Sequence, residues 1–242
     1  MRHYATAQLI GDRPRQCDAT AVVAAPKGVR AYALLDGVGS SPEVARWTRG
    51  AALRVAAQAA CRQDAKAGLR AAYAHYAARE LPADPWAEIP YAAAVVAVTV
   101  PGKPLTVAWC GDARAYLWSA GGFHQLTADH NERRVYPSWG EANVLTSCLG
   151  ARYTDEEARA TYRHAAVEAT TRHLDQWGRL LLASDGAYDP LEEDSSMPLV
   201  DYLPGELEDV ATTLVEAAVE VSGEGADNAT ALVADLHRGI HY

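Results

Sequence analysis

The sequence predicts a layered α+β domain, because runs typical of strands lie towards both ends of the chain and helix-like runs lie among them. Seven short apolar runs bounded by Gly, Pro, Asp or Asn have the length of strands; they cover residues 18–25, 29–36, 92–100, 105–110, 114–118, 179–184 and 230–236. Helix-like runs follow the second strand and precede the last one. This order differs from the strict strand–helix alternation of a parallel sheet.

The first two strands are predicted to form a hairpin, because Pro26, Lys27 and Gly28 between them are typical of a tight connection. A hairpin centred on Lys27 places Asp18 directly opposite Asp36. Like charges at opposed positions are destabilising unless a cation lies between them, so a metal site is one interpretation of this pair. The other interpretation is that both carboxylates are solvated residues beside a hairpin.

The middle of the chain predicts a three-stranded antiparallel meander. Residues 92–100 and 105–110 are joined by a Pro-Gly-Lys-Pro turn, and residues 114–118 follow closely and precede a Gly-Gly turn. We therefore expect these three strands to be neighbours in one sheet.

Two regions have helical patterns. The Ala-rich stretch 43–80 is poor in β-branched residues and is interrupted near Asp64 and Gly68, which favours two consecutive helices. Apolar residues from Leu207 to Val221 recur at helical spacing, and Gly223 stands where the helix is expected to end.

Composition and charge exclude several classes of protein. The 242 residues include 22 Lys and Arg against 31 Asp and Glu, and no basic run is long enough to follow a nucleic-acid backbone. No apolar run approaches the roughly 18 residues of a membrane span, and no signal peptide is recognisable, so we expect a cytoplasmic protein without a membrane partner. The four cysteines show no zinc or disulfide spacing. The absence of a recognisable linker favours one domain over residues 1–242.

Acidic residues recur where the predicted strands begin or end. Asp112 and Asp185 follow strands, and Asp227 precedes the last one, each beside Gly or Asn. Any one of them is typical of a turn. Together with Asp18 and Asp36 they favour a carboxylate cluster at one end of a sheet, and all-oxygen clusters suit Mg²⁺ or Mn²⁺.

Seven motifs in this order resemble those of the metal-dependent protein phosphatases of type 2C. They span most of the chain and read RPRQCDA (13–19), LLDGVGS (34–40), VAWCGDARAYL (107–117), LTADHN (126–131), LTSCLG (145–150), LLLASDGAYD (180–189) and GADNATALVADL (225–236). The resemblance implies a four-layer α/β/β/α sandwich of two antiparallel sheets flanked by helices. It also implies hydrolysis of phosphoserine and phosphothreonine on proteins by water that two Mn²⁺ or Mg²⁺ ions activate, with a cognate serine/threonine kinase as a further partner.

The resemblance also suggests which residues form the core metal site. Carried over by position, Asp36 resembles the carboxylate that bridges two ions, and the Gly37 carbonyl resembles a ligand of the second ion. Asp185 and Asp227 resemble ligands of the first.

Further roles follow from the same resemblance. Asp112, together with Asp185, resembles the ligands of a weaker third metal position. Asp18 resembles the acid that orients water at the metals, and Arg13 resembles the guanidinium that binds the substrate phosphate.

The sequence departs from the family pattern in three places. Cys17 replaces a Glu or Gln before the first Asp, and it either weakens the second metal position or packs as a small apolar residue. Val38 stands where many members have a His that acts as general acid. The flap is shortened to residues 131–144, so an open site or one completed by a partner is expected.

These departures keep two other functions open. One is a catalytically weak or inactive pseudophosphatase that binds a phosphoprotein or kinase, and the other is a hydrolase of small phosphate esters. The eight histidines show no metal-binding spacing and are expected to be solvated or capping residues, with His130 distinguished only by its motif.

Overall fold

The computed structural model describes residues 3–80, 83–84, 87–174, 177–193 and 197–237. Within these ranges the chain forms strands β1 Tyr4–Leu9, β2 Ala19–Ala25, β3 Val29–Gly37, β4 Ala92–Thr99, β5 Leu105–Cys110, β6 Arg114–Ser119, β7 Gly122–Gln125, β8 Glu168–Arg172, β9 Trp177–Ala183 and β10 Ala229–His237. The helices are α1 Pro42–Arg62, α2 Ala65–Ala77, α3 Glu132–Val135, α4 Asp155–Tyr162, α5 Asp185–Glu193 and α6 Leu207–Ser222.

The strands form two five-stranded antiparallel sheets. The first sheet has the order β1-β10-β9-β6-β7, and the second has the order β2-β3-β4-β5-β8. Helices α1 and α2 pack on the outer face of the second sheet, whereas α5 and α6 cover the first. The predicted four-layer sandwich is therefore confirmed.

The hairpin of β2 and β3 has the predicted register. Ala19 pairs with Leu35, so the preceding Asp18 lies next to Asp36 on the neighbouring strand. Lys27 occupies the centre of the turn in the left-handed region, with φ of 63°. The hairpin therefore brings two carboxylates to one edge of the second sheet.

The core consists of three apolar layers. The middle layer lies between the two sheets and is built from fully buried side chains of both, among them Leu34, Val95, Leu180, Leu182 and Leu232. Strands that are covered on both faces have nearly continuous apolar runs, which is why the central strands were recognisable in the sequence.

The two helical regions agree with the prediction. α1 and α2 cover the Ala-rich stretch, and their alanine faces pack closely against β2 to β5. α6 ends at Gly223, which caps the helix with φ of 61°. None of the helices in the described part of the chain is long and apolar enough to cross a membrane.

The predicted three-stranded meander is wrong. β4 pairs with β5, but β6 belongs to the other sheet, where it lies between β7 and β9. The chain changes sheets at Gly111, whose φ is 98° and whose missing Cβ would lie 2.5 Å from Ala93. This turn carries the following residue, Asp112, to the end of the sandwich.

Several short elements were not predicted from the sequence. β1, β7 and β8 lie at sheet edges and lack a long apolar run, and α4 is a polar helix with a Thr154–Glu157 capping box. α5 begins at Asp185 directly after β9 and contains Pro190, which masked its helical character in the sequence.

Candidate functional site

Five aspartates come together at one end of the sandwich. Asp36 lies at the end of β3, Asp112 follows β5, and Asp185 follows β9. Asp18 precedes β2 and Asp227 precedes β10. Because neighbouring strands run in opposite directions, these positions meet at the same end of the two sheets. The carboxyl groups are close enough to raise one another's pKa values.

Burial and mutual repulsion disfavour the charged form of these carboxyls. The pKa of Asp36 is raised well above its ordinary value, chiefly by burial and then by Asp185, Asp18 and Asp112. Burial also raises the pKa of Asp112 and Asp185, and neighbouring carboxylates add to the shift. Such a cluster is stable in the charged form only with a compensating cation.

Asp18 shows the strongest sign of an incomplete polar site. Its side chain is almost completely buried, and its Oδ2 atom has no hydrogen-bond partner. Burial raises the pKa of Asp18 to about 8, even though the hydroxyl groups of Thr230 and Ser184 bond to the carboxyl and lower it. A buried carboxylate oxygen without a partner is destabilising, so it marks a place where a cation or ordered water fits.

The donor set fits a hard divalent cation, although the side chains are not arranged around one. The cluster offers carboxylate oxygens, which Mg²⁺ and Mn²⁺ prefer. The carboxyls of Asp36 and Asp185 instead lie within hydrogen-bonding reach of each other, a contact that requires one of them to be protonated. Among the described residues, no group of three or more His, Cys, Asp or Glu side chains is positioned to hold one ion. Binding of metal at these carboxylates therefore requires the Asp36–Asp185 contact to open.

Arg13 and Gly37 lie at the edge of the cluster. The Arg13 guanidinium forms an ion pair with Asp227, and about half of its side chain is exposed to solvent. Gly37 packs tightly, because a Cβ there would lie 2.5 Å from the Cys17 carbonyl and 2.6 Å from Thr48 Oγ1. The close packing leaves the backbone at Gly37 no room for a side chain.

Cys17 is buried beneath the cluster. Its side chain packs against Val44 and Ala45 at the start of α1, and its N–H donates to Asn228 Oδ1 at 2.7 Å. Burial, followed by the charge of Asp18, raises the pKa of the thiol. This environment supports the interpretation of Cys17 as a small packed residue rather than as part of a metal position.

Comparisons with known proteins agree on one family. The family model for protein phosphatase 2C matches residues 24–134. A probable protein phosphatase 2C of rice, Oryza sativa subsp. japonica, is 29% identical over 168 residues, which cover 60% of this chain and 38% of that protein. The resemblance to the type 2C phosphatases is confirmed. The chain spans well under half the length of that curated relative.

Solved structures of bacterial phosphatases share the fold. The serine/threonine phosphatase of S. agalactiae superposes with a TM-score of 0.74 at 20% identity, covering 96% of this chain and 98% of that one. The PPM Ser-Thr phosphatase MsPP of Mycobacterium smegmatis, in complex with cacodylate, gives a TM-score of 0.70 at 24% identity and covers 96% and 97%. At these identities the likeness establishes the fold and does not assign a role to any residue.

Val38, where many type 2C phosphatases carry a His, lies on the surface. Its side chain is 49% exposed, and its N–H donates to the Tyr91 carbonyl at 3.0 Å. A valine at this position cannot donate a proton, so any leaving-group protonation must come from water or from another side chain.

Residues 131–144, where the resemblance implies a shortened flap, form a small excursion from the sandwich. A backbone bridge between Asn131 and Leu145 closes it, and the short helix α3 lies at its start. Arg134 of α3 pairs with Glu168 on β8 at 2.8 Å and thereby ties the excursion to the second sheet. Trp139 at its tip stacks on Tyr136 and is 67% exposed.

Two buried histidines lie behind this excursion. His130 and His164 stack at 4.0 Å between ring centroids, and Thr146 Oγ1 lies 2.7 Å from His164 Nε2. His130 Nε2 lies 3.1 Å from Glu168. The expectation that histidines outside the LTADHN motif are solvated is therefore wrong for His164. No spacing in the sequence indicates this contact, because the two rings come from separate loops.

Proposed function

We propose that this chain is a metal-dependent serine/threonine protein phosphatase that uses Mn²⁺ or Mg²⁺. The observation that carries the proposal is the cluster of mutually repelling aspartates, in which the buried Oδ2 atom of Asp18 has no partner. The confirmed resemblance to the type 2C phosphatases supports the reaction type. Residues 1–242 form one catalytic domain in this proposal, and the shortened flap leaves the site open.

The carboxylates are proposed to share the metal positions. Asp36 would bridge two ions, the Gly37 carbonyl would hold the second, and Asp185 and Asp227 would hold the first. Asp112, with Asp185, would hold a weaker third ion. When bound, divalent ions supply Lewis acidity that lowers the pKa of water and offsets charge on phosphoryl oxygens.

Asp18 and Arg13 are proposed to act on water and substrate. Asp18 would orient the attacking water through its unpartnered oxygen, which lies among the other carboxylates. Arg13 would bind two phosphoryl oxygens with its guanidinium, a geometry that lysine cannot reproduce. Because Arg13 pairs with Asp227, occupation of Asp227 by a cation would free the guanidinium for the phosphate.

The substrate is proposed to be a protein phosphorylated on serine or threonine. A cognate kinase would supply this phosphate. We also propose that the protein acts in the cytoplasm, without nucleic acid or a membrane as partner.

The test measures phosphate release from a phosphothreonine peptide. We expect turnover with Mn²⁺, none with EDTA, and none in Asp36→Asn, because the amide cannot replace the bridging carboxylate. Metal-free Asp36→Asn should melt at the same or a higher temperature, since the substitution relieves repulsion in the cluster. Asp209→Asn on the exposed face of α6 is the matched control and should retain full activity.

The outcomes separate the alternatives. Mn²⁺-dependent turnover in Asp36→Asn would refute the assignment of this residue. Binding of the phosphopeptide without turnover by the wild type would identify a pseudophosphatase, which the absence of a proton donor at Val38 favours. Hydrolysis of p-nitrophenyl phosphate but of no peptide would indicate a hydrolase of small phosphate esters.

A further inference from the structure

A cavity lies at the opposite end of the sandwich from the aspartates. It has a volume of about 400 Å³ and opens between the two sheets. Arg30 lines the cavity near the start of β3, whereas Asp36 lies near the end of the same strand. At roughly 3.3 Å per residue along a strand, the two positions are about 20 Å apart. The cavity is therefore separate from the candidate active site.

The rim of this cavity is rich in basic and titratable side chains. Its described lining includes His3, Arg30, Lys103, His173 and His237. Among the lining residues that the structure describes, the acidic one is Asp235. Its carboxylate accepts two hydrogen bonds from Arg179, at 2.7 and 2.9 Å. The chain as a whole carries a net charge of −9, so this concentration of basic groups opposes the overall charge.

The inner wall of the cavity is apolar. Val29, Tyr32, Leu105 and Leu236 line it and are almost completely buried. Burial raises the pKa of the Tyr32 hydroxyl, whereas the charge of Arg30 and hydrogen bonds with Arg30 and Thr99 oppose this shift. The lining therefore combines apolar side chains with the polar and charged groups of the rim, and its volume lies within the range of small-molecule sites.

The basic groups on the rim act on one another. The pKa of His3 is lowered, first by burial and then by the charge of Arg30, and His237 adds to the effect, whereas the neighbouring Asp235 raises it. An anion between these groups would reverse part of this repulsion and favour protonated His3.

We propose that this cavity binds a small organic oxyanion whose apolar body fills the inner wall and whose charged group lies among His3, Arg30 and His237. The charged group is a carboxylate or a phosphoryl group, because both accept paired hydrogen bonds from a guanidinium. The apolar part of the lining favours an organic anion over inorganic phosphate, which would leave that part unfilled.

The test uses the histidine-labelled chain of residues 1–242 and NMR without added metal. 3-Phenylpropionate is the carboxylate probe, benzylphosphonate is the phosphoryl probe, and 3-phenylpropanol is the neutral control. Each ligand is titrated to about 10 mM, which detects millimolar dissociation constants. Signals are assigned by His→Gln substitutions. We expect the signals of His3, His173 and His237 to move and saturate with at least one oxyanion, whereas those of the exposed His75 and His124 stay fixed.

Two substitutions test the charged group. Arg30→Gln should weaken binding at least tenfold, as expected for loss of a charged hydrogen bond. Lys103→Gln, in an exposed turn, should also weaken it without disturbing the fold. Lys27→Gln removes the same charge outside the cavity and should leave the affinity unchanged.

The pKa of His3 gives an independent readout and should rise when the oxyanion is bound. The proposal is overturned if neither oxyanion gives saturable shifts at the three histidines. It is equally overturned if the neutral alcohol binds as well as the anions, or if Lys27→Gln weakens binding as much as Arg30→Gln. None of these measurements depends on phosphatase activity.

Discussion

The surroundings of Cys17 favour one of two interpretations that the sequence leaves open. A thiol at this position is either part of a metal site or a small packed side chain. It lies with Val44 and Ala45 in a buried apolar cluster, and its sulfur is 3.9 Å from the Ser41 carbonyl. The main chain at this residue still contributes to the site, because its carbonyl lies against Gly37. The residue therefore supports the site through its backbone and its packing.

Cys17→Glu should destabilise the protein rather than improve metal use. The carboxylate would enter an apolar cluster without a partner, and we expect a loss of about 2–5 kcal/mol in the free energy of unfolding. Cys17→Ala keeps the packing mostly intact and serves as the control. Thermal melting, together with activity measured as a function of Mn²⁺ and Mg²⁺ concentration, checks this prediction. If Cys17→Glu kept its melting temperature and needed less metal for half-maximal activity, the residue would instead belong to the metal site.

His130 and Glu168 predict how stability depends on pH. Burial lowers the pKa of His130 to about 4, below its ordinary 6.5. For Glu168, burial opposes ionisation, but hydrogen bonds from His130 and Arg134 lower its pKa from 4.5 to about 2. In both cases the unfolded chain binds protons more readily than the folded protein, so stability falls as pH falls.

The wild type should therefore lose stability between pH 6.5 and pH 4 through His130, by at most about 3 kcal/mol. The Glu168 contribution should be lost below pH 4.5. His130→Gln removes the titrating group and should flatten the pH dependence between pH 6.5 and 4, although the variant is less stable at pH 7. Urea unfolding at pH 7, 5.5 and 4.5 measures both effects, with the exposed His124→Gln as control. If the free energy of unfolding depended on pH equally in His130→Gln and the wild type, His130 would not be the titrating group.

At the scale of elements, the excursion 131–144 is closed by backbone hydrogen bonds and is connected to the rest of the chain through the Arg134 side chain. The Asn131–Leu145 bridge closes it, and the Arg134–Glu168 ion pair connects α3 to β8. Both partners of the ion pair are partly exposed, at 32% and 24% of their side chains. Such a pair contributes little to global stability, but it limits where the excursion lies.

Arg134→Gln should therefore affect peptide substrates more than small ones. We expect a loss of no more than about 1 kcal/mol in stability. The Michaelis constant for a phosphothreonine peptide should rise several-fold, because the type 2C resemblance implies that this segment borders the active site. Turnover of p-nitrophenyl phosphate, which is too small to reach the excursion, should not change. An equal loss for both substrates would indicate damage to the site itself, and Arg133→Gln on the same helix provides the control.

At the scale of the whole molecule, the layer between the sheets holds the candidate site together. Each of the five aspartates lies within two residues of a strand end, and those strands belong to both sheets. Leu182 is fully buried in this layer and pairs with Leu232 and Ala115 on the neighbouring strands. Loosening the layer therefore changes the distances among carboxylates from different sheets.

Leu182→Ala should destabilise the protein by about 2–5 kcal/mol, through lost burial and the cavity left behind. Leu53→Ala makes the same change at an α1 position that is 58% exposed, and should cost less than about 0.5 kcal/mol. Chemical denaturation measures the loss of stability in each variant. We also expect Leu182→Ala to need more Mn²⁺ for half-maximal activity, whereas Leu53→Ala should not. Similar losses of stability in the two variants would show that the intersheet layer is not the main core.

The sequence by itself determined the local features that depend on short-range pattern. Continuous apolar runs identified the buried strands, the Pro-Lys-Gly turn set the register that puts Asp18 beside Asp36, and alanine-rich spacing identified α1 and α2. The ordered motifs also predicted a resemblance to the type 2C phosphatases, and the family model supports that resemblance over residues 24–134. These features were readable because strand and helix periodicity and turn chemistry act between residues that are close in the chain.

Only the tertiary structure decided which elements lie side by side. β6 lies in the other sheet from β4 and β5, and His164 stacks on His130. The rim histidines come from the residue before β1, the β8–β9 connection and β10. It also decided that Cys17 is buried and that Asp18 has an unpartnered oxygen. Burial and contacts between distant segments depend on how the layers pack. No local pattern of residues carries that information, because the packing energy arises from the whole core.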